Sequence, residues 1–135
     1  MNVQTISIPN KKCDKPSSGL ACVTGASSGI GAEFARQLAA EGYSVILVAR
    51  REDRLVDLGQ ELASDFRVEC ECITADLSDL NECEQLVLYL KSKREMPLDI
   101  LINNAGLAIG LQHLYTYAIE DIDQMIDTNI KGFTY

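Results

Sequence analysis

Long apolar runs are missing from this 135-residue sequence. No stretch approaches the roughly 18 consecutive apolar residues that a membrane-spanning helix requires, so no membrane segment is expected. The opening residues, Met1 to Pro16, lack the apolar core of a secretory signal, which leaves a cytoplasmic location as the default. Cations are also scarce: twelve Lys and Arg face twenty Asp and Glu, a formal net charge of −8. A polyphosphate partner needs clustered Lys and Arg, so a general nucleic-acid role is excluded. His113 is the only histidine, and the five cysteines are spaced for neither a disulfide framework nor a zinc site. Cys70 and Cys72, two apart in an expected strand, point to one face but have no partners at ligand spacing. No metal site is expected. Repeats and low-complexity tracts are absent too.

What is present is a regular alternation. Residues 1–18, with Pro9 and Pro16 among polar neighbours, read as a mobile lead-in, and residues 19–135 as one partial nucleotide-binding domain. Leu20-Ala21-Cys22-Val23 is a buried strand that ends in a Gly/Ser-rich turn. Ile30 to Glu41 has helical spacing, with Ile30, Phe34 and Leu38 on its apolar face, and Gly42 closes it. Ser44 to Val48 is apolar on both faces, as in the interior of a parallel sheet. A helix over Glu52–Ser64 places Leu55, Leu58 and Leu62 at helical intervals. Val68 to Thr74 reads as a strand nearer a sheet edge. Asp79 caps a helix reaching about Lys93, Pro97 stops it, and Leu98–Ile102 is a fourth strand. A last helix begins near Glu120. Strands and helices in this rhythm build a parallel sheet with helices on both faces, a doubly wound α/β fold of the Rossmann type.

The strongest local signal is Thr24-Gly25-Ala26-Ser27-Ser28-Gly29-Ile30-Gly31, between the first strand and the first helix. Such a loop aims backbone N–H groups and the positive end of a helix at a pyrophosphate. Its glycines allow close approach where a Cβ would block it. Ser27 and Ser28 add hydroxyl donors. The spacing is neither that of the dinucleotide fingerprint nor that of a P-loop, since no Gly-Lys-Ser/Thr follows. The bland alternative is a tight turn with no ligand.

This TGxxxGxG pattern resembles the short-chain dehydrogenase/reductase family. Three further matches fall in that family's order. Asp76-Leu77 follows the third strand, where the resemblance implies a contact to the adenine amino group. Asn103-Asn104-Ala105-Gly106 is similar to the family's NNAG motif, and Asn129 to the helix Asn that supports its catalytic network. Singly each has a plainer reading, Asp76 as a helix cap and the NNAG stretch as an ordinary turn. The resemblance implies cofactor contacts at Thr24, Gly25, Ser27, Ser28, Gly29, Ile30, Gly31, Arg50, Arg51, Asp76, Leu77, Asn103, Ala105 and Gly106, and a catalytic role for Asn129. It also implies a sheet of order 3-2-1-4, truncated after about four strands.

Cofactor choice turns on the end of the second strand, which reads Ala49-Arg50-Arg51 and carries no acid. An acid there would bind the ribose 2′-hydroxyl of NAD, whereas a planar guanidinium suits a 2′-phosphate. NADP(H) is therefore the expected cofactor and NAD(H) the alternative. The competing reading makes Arg50 and Arg51 solvated charges beside Glu52 and Asp53.

Hydride transfer to a carbonyl needs a proton donor beside the oxygen. The family's Ser and Tyr-x-x-x-Lys are not located, and the chain is expected to lack them: Tyr115 and Tyr117 are followed four positions on by Ile119 and Asp121, and Tyr135 is the last residue. These tyrosines and His113 read as packing or loop residues. The resemblance implies an NADP(H)-dependent oxidoreductase acting on a small carbonyl or alcohol, seen here as an inactive cofactor-binding portion. The alternatives are a non-catalytic nucleotide-binding module, a partner-binding short form, or a chain that does not fold stably. The fourth strand would present an open apolar edge, so self-association is a further expectation.

Overall fold

In the computed structural model, residues 3–8, 17–93, 97–110 and 113–134 are described. Cys13 and Tyr135, and the lead-in at 1–2 and 9–16, lie outside them. The elements are β1 (Gln4–Ile8), β2 (Leu20–Thr24), α1 (Gly29–Ala40), β3 (Ser44–Ala49), α2 (Glu52–Phe66), β4 (Cys70–Thr74), α3 (Leu80–Ser92), β5 (Leu98–Ile102) and α4 (Ile119–Ile126).

Four of the strands run parallel in the order β4-β3-β2-β5, the arrangement implied by the sequence. β2 and β3 are buried along their whole length, because helices cover both faces. One core packs α1 and α2 through Ala35, Leu55, Leu58 and Leu62 against Val23, Val45 and Leu47. The opposite core packs Leu86 of α3 against Cys22, Ile46, Val48 and Ile73. The alternation along each strand therefore sorts its side chains between two cores.

Three expectations change. The lead-in is not wholly mobile: Gln4–Ile8 forms β1, antiparallel to β4, with Ile6 opposite Cys72 and Ile8 opposite Cys70. The sheet is thus mixed, and β4 lies near the edge as expected but is paired on both sides, with β1 outermost. The third change concerns α1. Ile30 is 70% exposed and Phe34 41% exposed, while Gly31, Ala32, Ala35 and Ala39 are buried. Small residues let the helix backbone sit close to the sheet, so the larger apolar side chains turn outward.

Helix ends follow their local chemistry. Gly42 has φ +86°, and the Gly42 and Tyr43 N–H groups close α1 onto the Ala39 and Leu38 carbonyls. Asp79 Oδ1 accepts the Asn81 and Glu82 N–H groups at 2.8 and 3.2 Å, the cap read from sequence. At the start of β2, Asp99 Oδ2 accepts the Leu20 N–H at 2.9 Å beside a register shift between β2 and β5.

Burial keeps the thiols protonated. It pushes both Cys22 and Cys70 up to about 12. With pKa values raised in the folded chain, their contribution to stability is complete below the ordinary thiol range. It falls as pH rises from about 9 toward 12, where only unfolded thiols ionise. Urea unfolding midpoints should decline over that window, and Cys22→Ala with Cys70→Ala should flatten the decline. Alkylation of the folded chain at neutral pH should leave both residues unmodified.

Candidate active site: a glycine loop facing two arginines

The loop between β2 and α1 is held from beneath by one hydroxyl. Thr24 is buried, and its Oγ1 accepts the Asn104 and Ala105 N–H groups, each at 3.0 Å. The Asn104 side-chain amide donates back to the Thr24 and Gly25 carbonyls at 3.2 and 3.4 Å. The turn after β5 and the glycine loop are thereby locked to each other across neighbouring parallel strands. Asn104 serves as the strut of this arrangement, a role the sequence reading did not single out.

The three glycines have distinct reasons. A Cβ on Gly25 would lie 2.9 Å from Ala105 Cα, and one on Gly31 would collide with the Gly25 carbonyl. Those two allow close backbone packing. Gly29 has φ +58°, and nothing lies within 4 Å of where its Cβ would stand. Gly29 therefore answers a backbone requirement and leaves open space at the start of α1.

An open cleft lies at the carboxyl ends of the parallel strands, with about 590 Å³ of space including its mouth. Of the residues named from sequence it is lined by Gly25, Ser27, Ser28, Arg50, Arg51, Asp76, Leu77, Ala105 and Gly106. Thr24, Gly29, Ile30, Gly31, Asn103 and Asn129 do not line it. Asn103 reaches instead to the Phe133 carbonyl at 3.4 Å. Val48, Ala49, Ala75 and Thr128 line the cleft without having been named. The first three are ordinary strand-end residues with no chemical signal, whereas Thr128 adjoins the Asn129 motif.

Arg51 supplies the cleft's most informative contact. One guanidinium nitrogen donates to Ser27 Oγ at 3.0 Å and to Ser28 Oγ at 2.9 Å. Ser28 is the N-cap residue of α1, yet its side chain makes no capping bond, and the first turn has no acid. A cation is thus held at the positive end of a helix, where an anion is favoured. Among the described residues neither Arg50 nor Arg51 forms an ion pair.

Asp76 is fixed by its own turn. Its Oδ1 accepts the Ser78 N–H at 3.0 Å and the Ser78 hydroxyl at 2.7 Å, while its N–H donates to Glu82 at 2.7 Å.

Asn129 lies in a π-helical stretch, Asp127–Lys131, that continues α4. Its Oδ1 accepts the Leu107 N–H at 2.7 Å and its Nδ2 donates to the Leu107 carbonyl at 2.6 Å. Both amide atoms are spent on backbone, so the side chain positions the segment after Gly106. A Cβ on Gly106 would stand 3.1 Å from Asn129 Oδ1, and one on Gly132 would collide with the Leu77 carbonyl. Two glycines therefore let this helical stretch dock beside the cleft.

One sequence match was passed over. Tyr89 and Lys93 have the Tyr-x-x-x-Lys spacing, at the end of α3. Both bond Glu71, near the start of β4, at the end of the sheet away from the cleft. Burial, and then the Glu71 carboxylate, push the Tyr89 phenol up, the opposite of what a proton-transferring tyrosine needs. This pair clamps α3 to β4.

Thr24→Val should leave two backbone N–H groups without their acceptor and cost about 1–3 kcal/mol. Urea unfolding measures it. An unchanged midpoint would show that the hydroxyl does not hold the loop.

Residues 19–135 match the short chain dehydrogenase family. The chain is 35% identical over 113 residues to the NADP-dependent 3-hydroxy acid dehydrogenase YdfG of Escherichia coli strain K12, covering 84% of this chain and 44% of that protein. It is 38% identical over 115 residues to sulfoacetaldehyde reductase 2 of Chromohalobacter salexigens, covering 85% and 44%. Among solved structures it is similar to a short-chain dehydrogenase from Sphingobium yanoikuyae in complex with NADPH. There the TM-score is 0.79, identity is 34%, and the match covers 86% of this chain and 44% of that one. L-sorbose reductase from Gluconobacter frateurii, complexed with NADPH and L-sorbose, gives a TM-score of 0.79 at 30% identity over 87% and 44%. The chain thus spans under half the length of these relatives. With the glycine loop, the NNAG turn and the parallel strand order in place, the chain belongs to the short chain dehydrogenase family.

Proposed function

We propose that this chain is the cofactor-binding portion of an NADP(H)-dependent oxidoreductase that moves a hydride between the nicotinamide and a small carbonyl or alcohol. The observation that carries the proposal is Arg51, bridged to Ser27 and Ser28 at the amino end of α1 and without an acidic partner among the described residues. Two arginines line the cleft of a chain whose net charge is −8. That local reversal of sign is what a ribose 2′-phosphate would meet. The relatives support the same choice, being named NADP-dependent or solved with NADPH.

The residues present fit the dinucleotide. The open space at Gly29 and the amino end of α1 form an anion cradle for its pyrophosphate, with Ser27 and Ser28 as hydroxyl donors. Arg50 and Arg51 would hold the 2′-phosphate, Asp76 and Leu77 the adenine side, and Ala105 and Gly106 the wall beyond. Thr24, Gly31, Asn103 and Asn129 act behind these as positioning residues, and Ile30 flanks the loop. NAD(H) is the weaker ligand in this reading, because no carboxylate closes β3. When bound, the cofactor supplies or accepts the hydride.

The chain as given is proposed to bind without turnover. Among the described residues no Tyr, Lys, His or Cys lines the cleft, and the one carboxyl group there, Asp76, is engaged by Ser78 in its own turn. The proposed self-association attaches to β5, which pairs with β2 alone among the described strands and leaves Leu101 50% exposed.

Arg51→Ala removes a charge-assisted contact and should weaken NADPH binding by about 10–100-fold while leaving NADH within about two-fold. Equal losses for both cofactors would overturn the 2′-phosphate assignment. Turnover of a carbonyl panel by the 135-residue chain, dependent on Asn129, would overturn the binding-only reading.

A further inference from the structure

β1 lies outside the family match, which begins at residue 19, yet its Ile6 and Ile8 are built into one core and Val3, just before the strand, into the other. Ile8 is buried, and Ile6 packs beside it in the core under α2. Val3 packs into the opposite core, and its N–H donates to Gln85 of α3 at 2.9 Å. Five residues of β1 keep register with β4, from Gln4 opposite Thr74 to Ile8 opposite Cys70.

The partner surface is shaped for this strand. Gly59 stands in the middle of α2, where a glycine disfavours helix relative to alanine. A Cβ there would come within 2.9 Å of Ile8 Cγ1 and 3.0 Å of Cys72 Sγ. The glycine makes a notch in the helix that receives Ile8 of β1 beside Cys72 of β4.

We propose that the outer side of β4, together with the Gly59 notch, is a strand-accepting groove, filled here by the chain's own β1 and able to take β1 of a second copy in exchange. The occupant is defined by its chemistry: an extended, antiparallel segment with isoleucines two residues apart, the second seated in the notch. Backbone pairing supplies the binding and the alternate side chains the selectivity, as in strand addition to other sheet edges. By occupying the groove, β1 also guards β4 from indiscriminate pairing. The inference stands apart from the cofactor reading, since no residue of the cleft takes part.

The test uses the whole 135-residue chain carrying Ile6→Asp and Ile8→Asp, which releases β1, and a labelled peptide of residues 3–8 as the probe for a second copy's strand. Saturable capture at least about ten-fold tighter than by the unmodified chain supports the groove. The same capture should vanish for a peptide with both isoleucines replaced by Asp, and on adding Gly59→Val to the protein. No capture by a variant that retains its circular dichroism, or capture indifferent to Gly59→Val, overturns it. If the double variant does not fold, the unmodified chain decides. Saturable capture of the labelled peptide, competed by excess unlabelled peptide and not by the peptide with both isoleucines replaced by Asp, supports the proposal, and no capture at any peptide concentration overturns it.

Discussion

The architecture of the cleft depends on one buried hydroxyl. Thr24 Oγ1 takes the N–H groups of Asn104 and Ala105, and the Asn104 amide returns the bonds to the Thr24 and Gly25 carbonyls. These polar groups sit at the carboxyl ends of adjacent parallel strands, where backbone left unpaired would be costly. Satisfying them ties the glycine loop to the turn after β5. The cleft residues Gly25, Ser27, Ser28, Ala105 and Gly106 belong to the two segments so tied. Gly25 and Gly31 are glycines because the tie brings backbones together, and α1 starts where it does because the loop cannot shift.

Charge then gives the tied loop its chemical character. Placing Arg51 against the N-cap of α1 sets a cation beside the positive end of a helix, an arrangement that favours an anion between them. The rest of the chain is acidic, so the cleft is a local exception to its surroundings. In the proposed reading, stability and ligand recognition are divided between residue sets. Thr24, Asn104 and Asn129 spend their polar atoms on backbone, whereas Arg50 pairs with no acid among the described residues and Gly29 faces open space.

Much of this was legible in the sequence because it rests on local signals. The continuous apolar runs Leu20–Val23 and Ser44–Val48, the turn at Gly42, the cap at Asp79 and the leucines of α2 all read directly onto the fold. What was not legible depends on contacts far apart in the chain. β1 is a short polar-flanked run whose burial comes from Gly59 and Cys72, more than fifty positions away. The apolar face of α1 misled because size and burial part company where a helix must approach a sheet through alanines. Tyr89 and Lys93 show the reverse hazard: a spacing associated with catalysis serves a clamp to Glu71 at the far end of the sheet. Asn129 was singled out from its motif, but its bidentate hold on Leu107 is a geometric fact that no spacing reveals.

The central claim is that an NADP-binding cleft is already assembled in these 135 residues. Calorimetric titration of the unmodified chain with NADPH and, separately, with NADH tests it most directly. The account predicts saturable binding of one NADPH per chain, at least about ten-fold tighter than NADH, since the 2′-phosphate adds charge-assisted contacts. Binding of the two with equal affinity, or of neither to a chain that is folded, would contradict it.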